Sequence, residues 1–87
     1  MQVYIGIDWS ENKHDVVFMN EAGADLAYLV IAHNPEGFAQ LDARRRKLGL
    51  AVEDCQVGME TAHTILIDYL WSQGYTVVCV AAQPGEK

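Results

Sequence analysis

The sequence predicts an α/β domain built on a mixed five-stranded sheet, and three observations carry that prediction. An apolar run, Gln2–Val3–Tyr4–Ile5–Gly6–Ile7–Asp8–Trp9, stops at an acid, and Cys55–Gln56–Val57–Gly58–Met59–Glu60 repeats the arrangement. Between these segments lie two further apolar runs with short polar connections, the spacing of hairpins. Beyond the third run, apolar residues recur at helical spacing between capping residues.

Taken in order, the first strand is followed by the polar loop Ser10–Glu11–Asn12–Lys13, and His14 to Asn20 reads as the second strand. Glu21–Ala22–Gly23–Ala24 is a hairpin connection, and Leu26 to Ala32 is the third strand. Asn34–Pro35–Glu36–Gly37 starts a helix, with Asn as N-cap, Pro at the first helical position and Glu in the first turn. Phe38, Leu41 and Leu48 fall on one face of it, its last turns are cationic, and Gly49 ends it. The fourth strand covers about 54–60, the second helix about 64–73, and Gly74 precedes a fifth strand from Tyr75 to Ala81.

The order β-β-β-α-β-α-β makes the first three strands antiparallel, and the helical crossovers make strands one, four and five parallel. A sheet ordered 3-2-1-4-5, the ribonuclease-H-like arrangement, satisfies both conditions. Strand one is then central, with strand four as its parallel neighbour. Asp8 and Glu60 fall at the carboxyl ends of those strands, where open α/β sheets bind ligands. Residues two apart on a strand share a face, so Gly6 lies beside Asp8 and Gly58 beside Glu60.

One domain over 1–82 and a frayed polar tail over 83–87 account for the 87 residues. No apolar run has the ~18 residues of a membrane span. The start lacks the pattern of a signal peptide, which makes the cytoplasm the expected location. Cys55 and Cys79 have no metal-binding spacing and read as buried free thiols. The net charge of −6 argues against a grip on nucleic acid by this chain alone. Four of its six basic residues are consecutive, Arg44–Arg45–Arg46–Lys47. That run reads either as a solvated helix end or as a phosphate contact.

Two carboxylates at neighbouring strand ends repel and need a cation or a shared proton. Their hard oxygens suit Mg²⁺ or Mn²⁺. The spacing fits half of a two-metal phosphodiester site, which uses three or four acids, so metal binding by two is expected to be weak. The plainer reading is that Glu60 caps the helix after it.

Four segments in this order carry a resemblance over nearly the whole chain: Tyr4–Ile5–Gly6–Ile7–Asp8–Trp9–Ser10 with Lys13–His14, then Asn34–Pro35–Glu36–Gly37–Phe38, then Val57–Gly58–Met59–Glu60–Thr61, then Leu70–Trp71–Ser72–Gln73–Gly74–Tyr75. Together they resemble the bacterial insertion-sequence transposases (recombinases) with an N-terminal RuvC-like DEDD domain. The resemblance implies a DNA recombinase in which Asp8 and Glu60 are the first two acids of a metal-binding tetrad. It also implies two later acids, a serine nucleophile on a separate domain and, in some members, a guide RNA, all beyond this chain. Strand cleavage by this chain alone is not expected. The chain departs from the family in having Ala62–His63 where a small residue and Gly follow, and Ala81–Ala82–Gln83–Pro84 where Asn-Pro is common.

Ser10 and Lys13, in the loop next to Asp8, are candidate phosphate contacts or plain loop residues. His63 is a candidate aid to a metal or phosphate, or simply an exposed helix start. Trp9 alternates with Asp8 and reads as core, Tyr69 and Trp71 read as packing residues, and His14 and His33 merely flank strands. Ribonuclease-H-like folds add a helix after the fifth strand; without it an apolar patch stays exposed and the chain is expected to form a homo-oligomer.

Two other classes compete. Actin-like, heat-shock and sugar-kinase ATPases also open with a strand ending Gly-x-Asp, but their next loop is rich in Gly and Thr. Here it is Trp9–Ser10–Glu11–Asn12–Lys13, without Gly and with an added negative charge. A non-catalytic assembly or partner-binding domain is the other alternative.

Overall fold

Residues 2–59 and 65–79 are described in a computed structural model of the chain. Five strands form one sheet: β1 (Val3–Trp9), β2 (Lys13–Asn20), β3 (Asp25–Ala32), β4 (Cys55–Met59) and β5 (Thr76–Cys79). Helix α1 (Pro35–Lys47) connects β3 to β4, followed by a short 3-10 turn at Val52–Asp54 that the sequence pattern did not reveal. Helix α2 (Ile65–Ser72) connects β4 to β5. The strand order is β3-β2-β1-β4-β5, with β1 antiparallel to β2 and parallel to β4, as the connections dictated. The expected tail at 83–87 and the continuation of the fifth strand to Ala81 lie outside the described residues.

Alternation along the strands decides the faces. Val3, Ile5 and Ile7 of β1, Val16 and Phe18 of β2, and Val57 and Met59 of β4 are buried. They share one core with Phe38 and Leu41 of α1 and Leu66, Ile67 and Leu70 of α2. Both helices therefore pack on the same side of the sheet. The opposite side carries Tyr4, Tyr28, Val30 and Val78, each at least 40 % exposed. Trp71 differs from expectation: on the outer side of α2 it is 56 % exposed, while Tyr69 is partly buried against the core. The side chains of Trp9 and Cys79 lie outside the description; Cys55 is a buried free thiol, as expected.

Local chemistry fixes the ends of α1. The Asn34 side chain accepts from the Gly37 N–H at 2.8 Å, with Pro35 following the cap. At the other end the N–H groups of Gly49 and Leu50 donate to the Arg46 and Arg45 carbonyls, with Gly49 at φ +75°. Only a residue without a Cβ enters that left-handed conformation at little cost, so the helix stops there.

Candidate functional site

Asp8 stands exposed near the end of the central strand, on the face away from the helices. Its Cα partner across the β1–β2 hairpin is Asp15, an acid that the sequence reading passed over. The signal was available, because a hairpin closed around residues 10–12 pairs position 8 with position 15. The two acids are thus direct cross-strand neighbours on one face of the sheet, an arrangement in which like charges repel. Lost solvation, and after it the Asp15 carboxylate, push the Tyr28 phenol upward.

On the β4 side the register pairs Gly6 with Gly58 and Ile7 with Met59. Glu60, the next residue in the sequence, lies outside the described residues, as does His63. Among the described residues no three His, Cys, Asp or Glu side chains are grouped to hold a metal ion. The two glycines pair side by side in the centre of the open face, with Val17 beyond Gly6 and Val78 beyond Gly58. A Cβ at Gly58 would meet nothing within 4 Å. Packing among the described residues does not call for that glycine; it leaves a bare lane over the sheet that runs up to Asp8.

The loop after Asp8 is tied down from below. The Ser10 hydroxyl donates to the Lys13 carbonyl, and the Ser10 N–H donates to His14 Nδ1 at 3.3 Å. Accepting that bond leaves the neutral His14 ring its proton on Nε2, which lies 2.8 Å from His33 Nδ1. Phe38 sits against His33, with ring centroids 5.5 Å apart. His14, expected only to flank a strand, is fully buried and joins the loop beside Asp8 to the start of α1. Burial first, and then the neighbouring His33, hold the His14 pKa below its ordinary value. The unfolded imidazole takes up a proton near pH 6.5, and the folded one resists it to lower pH. Between pH 7.5 and 5.5 the unfolded state therefore binds more protons, and stability falls on acidification. Thermal melts across that window should show the fall, and His14→Phe should flatten it; an unchanged slope in the variant would rule His14 out as its source.

The cationic run divides between two faces of α1. Arg45 is committed to the fold: Nη1 donates to the Leu50 carbonyl at 2.7 Å and Nε to the Tyr75 hydroxyl at 3.0 Å. Asp42 pairs with Arg45 at 3.2 Å and with Arg46 at 2.6 Å. Arg44 and Lys47 point instead into a groove beside β3. Lys13 opens β2, exposed.

A mixed α/β sheet in this order, with an acid near the end of its central strand, is of the ribonuclease-H-like class. The sequence model of the DEDD transposase family of the IS110 type, described as transposase, matches residues 5–85, and the chain belongs to that family. It is thus a transposase domain. No curated protein matches the chain. No helix among the described residues is long and apolar enough to cross a membrane.

Proposed function

We propose that Asp8 and Glu60 are the first two acids of a four-acid site for phosphodiester chemistry on DNA, in a self-associating cytoplasmic transposase whose remaining acids and serine nucleophile lie outside this chain, with a guide RNA as a separate partner where one is used. One observation carries the reading: Ile7 and Met59 are paired on adjacent parallel strands, and each is followed in the sequence by an acid. The donor set fits Mg²⁺ or Mn²⁺, because carboxylate oxygens are hard ligands and the Asp8–Asp15 pair already favours a cation. A bound divalent ion supplies charge neutralisation and activates the attacking oxygen.

This chain's own contribution is placement. Strand β1 fixes Asp8 near the carboxyl end of the central strand, and the His14–Ser10 bond fixes the loop that carries Ser10 past it to Lys13 at the start of β2. The Gly6–Gly58 lane admits a nucleic-acid backbone close to the sheet, where side chains would hold it off. With only two of the acids, the chain is expected to bind metal weakly and not to cut DNA.

Mn²⁺ titration of the isotope-labelled chain tests this directly, since the paramagnetic ion broadens nearby amide signals. Broadening should centre on residues 7–10 and be reduced in both Asp8→Asn and Glu60→Gln. Uniform broadening, or broadening that ignores both substitutions, would sink the assignment.

A further inference from the structure

We infer that the outer edge of β3 accepts an extended acidic peptide segment as a sixth strand, with its carboxylates seated beside Arg44 and Lys47. Among the described residues, strand β3 is the last in the sheet on its side. The His33 N–H donates inward to the Asn12 carbonyl at 3.1 Å. Hydrogen-bonding direction alternates along an antiparallel strand, so Leu29 and Ile31 also turn inward, while Tyr28, Val30 and Ala32 turn their N–H and C=O groups outward. The run Leu26–Ala27–Tyr28–Leu29–Val30–Ile31–Ala32 has no Pro, Lys or other charge, the devices that natural edges use to prevent pairing.

Helix α1 closes that edge at one end only. A Cβ at Gly37 would stand 2.1 Å from the Ala32 carbonyl oxygen, so the first helical turn rests on Ala32 itself. Farther along, a groove of about 350 Å³ opens between helix and strand, lined by Leu29, Val30, Gln40, Ala43, Arg44 and Lys47. Gln40, Arg44 and Lys47 follow one another at helical spacing and form one polar stripe. Arg45 and Arg46 are both bound to Asp42, whereas Arg44 and Lys47 form no ion pair among the described residues.

Charge selects the occupant. A second copy added edge to edge about a two-fold axis would bring two Arg44–Lys47 stripes face to face, which repel. A nucleic acid would satisfy the cations and leave the outward N–H and C=O groups of Tyr28 and Val30 unused. An extended peptide at about 4.8 Å uses both. Its alternate side chains then divide, carboxylates toward α1 and apolar groups beside Tyr28 and Val30.

A blocked heptapeptide of alternating valine and glutamate is the probe, with its lysine counterpart as control, followed by amide chemical shifts. The glutamate peptide should shift signals at 28–32 and 40–47, and the lysine peptide should not. Val30→Pro removes one outward donor and leaves the β2–β3 ladder intact; it should weaken binding about tenfold. Arg44→Glu with Lys47→Glu should reverse the preference between the peptides. Unaltered binding to Val30→Pro would overturn the proposal. So would a single-stranded oligonucleotide that displaces the peptide and shifts 40–47 without moving the β3 amides, since the groove would then be a polyanion patch.

Discussion

Replacing Asp42 with Ala should cost about 3 kcal/mol of unfolding free energy, a large share of the total for a domain of this size. Asp42 is 4 % exposed, a carboxylate buried in the middle of α1. Its Oδ1 accepts from the Tyr75 hydroxyl at 2.7 Å and from Arg45 Nε at 3.2 Å, and its Oδ2 from Arg46 Nη1 at 2.6 Å. The cluster joins α1 to the residue before β5 and, through Arg45, to the Leu50 carbonyl after the helix. Removing the carboxylate leaves a half-buried guanidinium and a buried phenol facing each other, and the loss arises from that stranded charge more than from any bond deleted.

The neighbours set the scale for that result. Arg46, with a side chain 63 % exposed, should lose no more than about 0.5 kcal/mol as Arg46→Ala, since exposed pairs are screened. Tyr75→Phe should lose about 1 kcal/mol. Adding Arg45→Met to Asp42→Ala should recover part of the loss by removing the stranded charge. Urea denaturation of the four variants decides the matter; an Asp42→Ala cost no greater than that of Arg46→Ala would refute the account. The same cluster, burial first and then the bond to Asp42, raises the Tyr75 phenol far above its ordinary value. The unfolded phenol ionises near pH 10 and the folded one resists, so Tyr75 contributes stability that is lost as pH rises above about 10.

Much of this architecture was legible because it is written locally. An apolar run ending in Asp8, two short connections and the Asn34–Pro35 start each depend on residues a few positions apart, and together they dictate strand order. What escaped depends on distant partners. Asp42 reads as one more polar residue on a helix until Tyr75, thirty-three positions away, is placed against it. Arg44 to Lys47 look alike in sequence, and only the helix's docking angle sends Arg45 inward and Arg44 and Lys47 toward β3. His14 and His33 flank strands without comment in the sequence, yet the β2–β3 pairing stacks them within hydrogen-bonding distance. The candidate site divides the same way: Asp8 followed from its strand, whereas Asp15 required the register of the hairpin.

Gly37→Ala should destabilise the domain by about 3 kcal/mol, opposite in sign to what a helix ordinarily shows. Inside a helix Ala is better than Gly by about 1 kcal/mol, because glycine has more backbone freedom to lose. Position 37 reverses this, since an added Cβ would stand 2.1 Å from the Ala32 oxygen, 2.6 Å from its nitrogen and 2.8 Å from its carbonyl carbon. All three are backbone atoms of a strand in the sheet, so no rotamer relieves the overlap and the helix must lift. Lifting loosens Phe38 and Leu41, which are buried in the same core, and with them the Phe38 contact that backs His33 and, through it, His14 and the loop beside Asp8. Ala39→Gly, at an exposed position two residues along the same helix, is the matched control and should lose about 1 kcal/mol from propensity alone. Hydrogen exchange should then separate the two variants, with Gly37→Ala also losing protection in β3 and at Ser10. A Gly37→Ala protein more stable than the parent would mean that α1 does not rest on Ala32, and the groove beside β3 would lose its closed end.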